Sequence, residues 1–414
     1  MNVDEPVDSL LIDLPMNTSK TSAASSHVMP DIILPGATLG VMGGGQLGRM
    51  FVQAAQQMGY FTAVLDEADD SPAGCIAHHH IRTAYTDEKG LQQLIDCCAA
   101  ITTEFENVPA AALKTLARHL SVYPKANAVF IAQDRLLEKE LFTQSGVGCA
   151  SYAAIQTPAD IEQVDDALFP AILKTARLGY DGKGQVTVNA KAELQTAWQE
   201  LHQVPCILEK KVPLASEISV LIARNQHGQT VNYPVQQNIH RNGILAITEV
   251  PVQSADNPLY QQAITAAKQL AQALDYVGVL CVEFFILQDG SLIANEIAPR
   301  PHNSAHWSMN GASYSQFEAQ VRALTGLPLP QPVQTQNSIM LNLLGDLWFN
   351  AKNEQSTPPW DQILALPGTH LHLYGKTEAK KGRKMGHLNI TATTFEQAKT
   401  TALQAAQILN ITPW

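Results

Sequence analysis

Val279-Leu280-Cys281-Val282-Glu283-Phe284-Phe285-Ile286-Leu287, then Gln288-Asp289-Gly290, then Ser291-Leu292-Ile293-Ala294-Asn295-Glu296, reads as a β-hairpin. Two apolar runs flank an Asp-Gly step, the favoured two-residue type I′ connection. With Asp289 and Gly290 as the turn, Gln288 faces Ser291 and, counting outward, Glu283 faces Glu296. Directly opposed side chains have Cβ atoms about 5 Å apart. Two carboxylates that close repel unless one is protonated or a cation lies between them. Glu283 also sits in an apolar run, where an unpartnered charge is costly. A divalent metal answers both problems, and hard oxygen ligands suit magnesium. The competing reading is a Glu paired with some distant Arg or Lys.

Just past the hairpin comes Ala298-Pro299-Arg300-Pro301-His302-Asn303-Ser304-Ala305-His306-Trp307. So much Arg, His and Asn beside a candidate metal pair reads as a substrate loop. His302 and His306 have the helical spacing of a zinc pair, but Pro299 and Pro301 argue against a helix there. Farther upstream, Phe169 to Lys174 reads as a strand ending in a lysine. The segment Gly179-Tyr180-Asp181-Gly182-Lys183-Gly184-Gln185 follows, and then a β-branched strand, Val186 to Val188. Three glycines in such a loop let backbone N–H groups fold over an anion, with lysine adding charge. A mobile lid over phosphates is the favoured reading and an exposed hairpin tip the alternative. The spacing is not that of a Walker A loop, which opens a helix. Cys206 to Val212 holds a strand ending at Glu209, and Glu217 opens the next; both acids have the chemistry to accept ribose hydroxyls, with a surface acid as the alternative for either.

The N-terminal third carries a different pattern. Leu39 to Met42 is a short strand, Gly43-Gly44-Gly45-Gln46-Leu47-Gly48 a glycine turn, and the following apolar spacing is helical up to Gly59. Thr62 to Leu65, ending at Asp66, completes a strand–helix–strand unit and begins a parallel sheet. The glycines match a dinucleotide fingerprint, so a nicotinamide dehydrogenase is a fair reading of this segment taken alone. His78-His79-His80 reads as a solvated loop. Ile101 to Pro109 reads as a strand running into a polar loop, which makes Glu104, Glu106 and Asn107 candidate hydroxyl acceptors; a solvated loop is the alternative. Near the C-terminus, Tyr374-Gly375-Lys376 and Gly382-Arg383-Lys384-Met385-Gly386-His387 form a basic, glycine-interrupted hairpin; it is a solvated turn or an anion site.

The 414 residues predict two or three domains, with 45% hydrophobic and 16% charged residues marking a globular chain. A net charge of −11 disfavours a nucleic-acid surface, which needs a broad basic field. No apolar run reaches the roughly 20 residues of a membrane span. The six cysteines show neither zinc spacing nor a disulfide framework, and a reducing cytoplasm is expected. Residues 1–36, with Asp4, Glu5, Asp8 and Asp13 and no arginine, resemble neither a transit nor a secretory peptide; a flexible tail is expected.

Taken in order, Gly-Gly-Gly-Gln-Leu-Gly-Arg-Met, Gly-Tyr-Asp-Gly-Lys-Gly-Gln, Asn-Glu-Ile-Ala-Pro-Arg-Pro-His-Asn-Ser and Gly-Arg-Lys-Met-Gly-His resemble the ATP-grasp superfamily, and within it the N5-carboxyaminoimidazole ribonucleotide synthases. The resemblance runs from about Gly40 to His387. It implies a mixed α/β and α+β chain: a tail at 1–36, a Rossmann-like preATP-grasp domain at 37–133, a two-lobed ATP-grasp domain at 134–330, and a small β-rich C-terminal domain at 331–414. It implies ATP contacts at Arg135, Lys174, Gly179, Tyr180, Asp181, Gly182, Lys183, Gly184 and Gln185. Further ATP contacts fall on Glu209, Lys210, Lys211, Val212, Glu217, His240, Asn295 and Glu296. Magnesium falls to Glu283 and Glu296, as the hairpin count suggests independently. Aminoimidazole ribonucleotide is expected at Gln46, Glu104, Tyr180, Asp181, Arg300, His302, Asn303, Lys376, Arg383 and Lys384, the last cations holding its phosphate.

The implied reaction uses ATP and bicarbonate to carboxylate that nucleotide through carboxyphosphate. Lys183 is expected to neutralise the transferred phosphoryl group, Asp181 to take the amine proton and Arg300 to act in catalysis. A homodimer in the cytoplasm is expected. The leader departs from the family pattern, as does Ala305 where glycine is common. A sister ATP-grasp ligase using formate or biotin, a dehydrogenase, and a nucleotide-binding regulator are the alternatives.

Overall fold

The computed structural model describes residues 32–179, 184–252, 257–350 and 352–412. The expected tail at 1–36 therefore lies outside the described residues through residue 31, and so do Tyr180, Asp181, Gly182 and Lys183.

Three sheets organise the chain. The first has five parallel strands in the order His79–Ile81, Phe61–Leu65, Thr38–Met42, Ala100–Thr103, Ser121–Val122. Leu39, Val41, Met42, Val64 and Leu65 are buried in it. The helix Gln46–Gln57 covers one face with Leu47, Met50, Phe51 and Ala55 and stops just before Gly59, as the apolar spacing predicts. The histidine run departs from its reading as a loop: His79 and His80 lie in the edge strand, paired beside Ala63 and Val64. His78 accepts the Thr62 N–H through Nδ1 at 3.2 Å.

The second sheet has four strands, Tyr152–Ile155, Cys206–Lys210, Ala171–Thr175 and Gln185–Val188, all antiparallel, backed by the helix Lys191–Glu200. Lys174 and Glu209 come from neighbouring strands of it.

The third sheet has nine strands. It starts with Leu292–Ala298 and Gly278–Leu287, passes through Leu214–Arg224, Gln236–Arg241 and Ile244–Val250, and ends in Asn337–Leu344, Lys384–Ala392 and Thr369–Leu373; Thr230–Asn232 pairs at its side. The β-rich C-terminal segment thus extends the same sheet that carries the glutamate hairpin, through the antiparallel pair Ile247–Leu341. The helix Pro258–Ala273 packs Ala263, Ala267 and Leu270 against Ile218, Val220, Leu280 and Val282.

Candidate active site

Glu283 does stand opposite Glu296. The route to that pairing differs from the sequence reading. Next to the turn the partners are Ile286–Leu292, Phe285–Ile293 and Phe284–Ala294, and Leu287 N–H donates to the Ser291 carbonyl. The connection is therefore the three residues Gln288, Asp289 and Gly290, with Gly290 at φ +82° supplying the left-handed conformation such a loop needs. One residue, Asn295, then bulges out, and beyond it the pairs become Glu283–Glu296, Val282–Ile297 and Cys281–Ala298. A longer turn and a bulge cancel, leaving the two carboxylates face to face.

Burial and the charge on Glu296 push the Glu283 carboxyl up to about 7. Glu296 goes the other way: burial opposes ionisation, but Arg135 and Lys174 hold it below the usual carboxylate range. Arg135, the first residue of the helix Arg135–Gln144, reaches Glu296 Oε2 through its guanidinium at 3.0 Å. His302 stands 3.3 Å from Glu283 through Nε2. Burial, with Arg300 and Lys384 nearby, keeps that imidazole neutral. The distant-cation alternative thus holds for Glu296; Glu283 has a neutral ring beside it, and the more distant charges of His240 and Lys384 do not offset burial and the charge on Glu296.

Around this pair, Lys174 donates to Glu209 Oε2 at 2.7 Å, and Lys139 lies 3.5 Å from Glu209 Oε1. His240 Nδ1 is 2.6 Å from Glu217 Oε2; burial lowers the imidazole, but Glu217, with Glu283 and Glu296 nearby, raises it above its ordinary value. Glu217 and Asn238 pair across adjacent strands. Arg300 grips Glu106 through Nε and a second nitrogen, the latter at 3.2 Å; desolvation opposes ionisation, but the guanidinium holds the half-buried Glu106 carboxyl below the usual range. Asn303 is buried, and neither polar atom of its side chain has a partner among the described residues. Such an amide needs a ligand or water to satisfy it.

Other expected site residues sit at different distances from this cluster. Lys384 opens its strand close enough to act electrostatically on Glu106, Glu283 and His302. Lys376 donates to the Lys384 carbonyl at 2.6 Å, and Arg383, exposed, donates to the Glu378 carbonyl at 2.9 Å. Lys210 and Lys211 are exposed and Val212 is half-buried, their turn fixed by Lys211 N–H on the Pro170 carbonyl. Gly184 and Gln185 close the loop base, where Thr175 N–H donates to the Gly184 carbonyl and Gln185 pairs with Lys174; Gly179 is the last described residue on the other side.

The glycine turn is filled from within. Glu104, buried, accepts the N–H groups of Gly45 and Leu47, the latter at 3.3 Å, and Asp66 accepts that of Gly44 at 2.8 Å. A Cβ at Gly45 would collide with the Glu104 carboxylate, which accounts for glycine there. A dinucleotide pyrophosphate would find these donors already bonded, and the dehydrogenase reading loses its support. Gln46 begins the helix beside them, half-buried.

Two site residues escape the sequence reading. Glu138 and Lys139 are buried on the inner face of Arg135–Gln144 beside Leu141 and Phe142. Glu138 Oε1 accepts the Ile297 N–H at 2.6 Å and Lys139 donates to the Asn295 carbonyl at 2.7 Å. Their signal was available: two charges on the apolar stripe of a short amphipathic helix.

The carboxylate pair fits magnesium, which takes one or two carboxylates together with substrate phosphates. Among the described residues no group of three or more His, Cys, Asp or Glu side chains could hold a metal by itself.

Comparison with known proteins is concordant along the chain. The ribonucleotide synthetase preATP-grasp domain matches residues 36–133, the ATP-grasp domain 140–317, and the phosphoribosylaminoimidazole carboxylase C-terminal domain 338–401. The N5-carboxyaminoimidazole ribonucleotide synthase of Pseudomonas aeruginosa is 43% identical over 353 residues, 85% of this chain and 94% of that protein. A crystal structure of an N5-carboxyaminoimidazole ribonucleotide synthetase with ADP superposes with a TM-score of 0.84 at 40% identity, covering 92% of this chain and 98% of that one. The Aspergillus clavatus synthase, solved with ADP and 5-aminoimidazole ribonucleotide, gives 0.81 at 31% identity over 90% and 98%.

Proposed function

The chain belongs to the N5-carboxyaminoimidazole ribonucleotide synthase family of ATP-grasp ligases, and we infer that its site joins bicarbonate to 5-aminoimidazole ribonucleotide at the expense of ATP. It is an ATP-dependent ligase of purine biosynthesis. The observation that carries the reading of the site is the Glu283–Glu296 pair, with Arg135 on one carboxylate and Lys174, from the second sheet, close enough to act on the same carboxylate.

Glu283 and Glu296 would hold magnesium, which when bound supplies positive charge at the transferred phosphoryl group. Arg135 and Lys174 add fixed positive charge near the same place, where it is worth most while negative charge develops. Bicarbonate is a poor electrophile, and carboxyphosphate is the activated form these charges serve. Glu209, already bonded to Lys174, and Glu217, bonded to His240, are suited to the hydroxyls and edge of the nucleotide.

On the other side, Arg300 is held in place by Glu106 and presents a fixed cation to the acceptor. Neutral His302 can give or accept a hydrogen bond without adding charge, and Asn303 brings an unsatisfied amide. Lys384, with Lys376 bonded to its carbonyl and Arg383 next to it, forms the cationic end for the ribotide phosphate. Gln46, at the start of the first helix, and Glu104, just past a strand of the first sheet, are proposed on the acceptor's side from the family resemblance. Asp181 and Lys183 are proposed from the family resemblance as the proton acceptor and the loop cation. Asp181→Ala turning over at near-normal rate would remove that carboxylate from the chemistry.

Six free cysteines are consistent with the cytoplasm, and the family resemblance supports a homodimer. Among the described residues no helix is long and apolar enough to cross a membrane. Light scattering on the eluted protein reads the dimer directly.

The deciding assay is phosphate release from magnesium ATP and bicarbonate, with and without aminoimidazole ribonucleotide. Strong stimulation by the nucleotide is expected. ATP binding with no stimulation would sink the acceptor assignment and send the search to formate with glycinamide ribonucleotide.

A further inference from the structure

The hairpin register makes the carboxylate pair conditional. If the pairing next to the turn continued unbroken, Glu283 would face Asn295, and Glu296 would fall opposite Val282. Because side chains alternate with period two, a one-residue slip moves every following side chain to the other face of the sheet. The Glu283–Glu296 pair therefore exists only because Asn295 is bulged out.

A bulge leaves backbone groups outside the ladder, and buried ones need other partners. Consecutive residues of one helix supply them. Lys139 donates to the carbonyl of Asn295, the bulged residue itself, and Glu138 accepts the N–H of Ile297, two residues on. The carbonyl of the bulged residue and an N–H just after it are thus held from the same helical turn, with Arg135, one turn earlier, on the Glu296 carboxylate. Both side chains are buried, Lys139 to 1% exposure, and the bond from its ammonium is of the charge-assisted kind, roughly twice as strong as a neutral one. Lys139 also lies 3.5 Å from Glu209, which holds Lys174, so the bulge and the strand of the second sheet share one buried ammonium.

We propose that Glu138 and Lys139 are positioning residues that lock the Asn295 bulge and thereby place Glu296 opposite Glu283 as a divalent-cation site. The proposal rests on the metal role given to that pair above, and its test needs neither turnover nor the acceptor nucleotide. Calorimetric titration with adenylyl imidodiphosphate, with magnesium and again in EDTA, measures how much the metal tightens nucleotide binding. In Lys139→Met that metal-dependent gain is expected to fall at least tenfold, while the affinity in EDTA changes less than threefold; Lys139→Arg, which keeps a donor, restores part of the gain. A folded Lys139→Met with the full gain overturns the proposal. If Lys139→Met does not fold, Glu138 decides. Glu138→Gln retains an acceptor for Ile297 N–H and keeps the gain, whereas Glu138→Leu loses it; equal behaviour of the two overturns the proposal. A wild-type protein without any metal-dependent gain would overturn the metal reading together with this one. A normal gain without stimulation by aminoimidazole ribonucleotide would leave the locking role standing and remove only the acceptor.

Discussion

Replacing Glu104 by Gln tests whether the glycine turn is closed by the protein's own carboxyl group. Glu104 is buried between Gly43 and the helix that starts at Gln46, and it takes the N–H groups of Gly45 and Leu47. Burial outweighs those two bonds and pushes its carboxyl up to about 7. A glutamate raised from its ordinary value to that level holds its proton more tightly folded than unfolded. The stabilisation is therefore complete below the unfolded value and is lost as pH rises through the folded one. At about 1.4 kcal/mol for each tenfold change in proton affinity, the loss between pH 5 and pH 8 comes to roughly 2 to 3 kcal/mol. Glutamine has the same shape and does not titrate; its single carbonyl oxygen can serve only one of the two amides, a cost that does not vary with pH. Urea unfolding followed by circular dichroism at pH 5, 6.5 and 8 is the assay. The stability of wild type minus that of Glu104→Gln should fall by that amount across the range. A difference that stays constant with pH would refute the reasoning, since Glu104 would then titrate as it does in the unfolded chain.

Three other substitutions separate the parts of the site. Glu283→Gln keeps the shape of the hairpin but removes half of the carboxylate pair; phosphate release should drop about a hundredfold or more, because a bound metal is worth several kcal/mol to the transition state, and a drop under fivefold would exclude Glu283 as a ligand. Lys384→Met should raise KM for aminoimidazole ribonucleotide roughly tenfold, the worth of one charge-assisted hydrogen bond, and leave KM for ATP within about twofold; an equal rise in both would place Lys384 on the wrong substrate. Arg300→Lys loses the two-pronged grip on Glu106, which an ammonium cannot reproduce, so kcat should fall about tenfold with the melting temperature little changed; unaltered kcat would leave Arg300 a structural ion pair.

How much of this could be read from the chain depends on the range over which each signal acts. The strand, glycine turn and helix of the first unit follow from local apolar spacing, and Thr38–Met42 with Gln46–Gln57 forms where that spacing places it. The role of the glycines is not local: Gly45 is small because Glu104, 59 positions away, occupies the space beside it. A dinucleotide fingerprint and a turn plugged by a carboxylate call for the same residues, so only the tertiary fold separates them. The hairpin shows the opposite case. Counting from a two-residue turn reaches the Glu283–Glu296 pair, yet the turn has three residues and Asn295 takes up the slip. What survives such an error is the chemical demand: Glu283 lies in an apolar run and needs its charge answered, whatever the register between it and the turn. What does not survive is the cause of the register, because the partners of Asn295 and Ile297 come from Lys139 and Glu138, more than 150 positions earlier. A charged residue on the apolar face of a helix states that a partner exists and gives no direction to it. Charge in an apolar setting thus singles out Glu283 from sequence, and the three-dimensional fold alone shows that one helix sets the register on which the carboxylate pair depends.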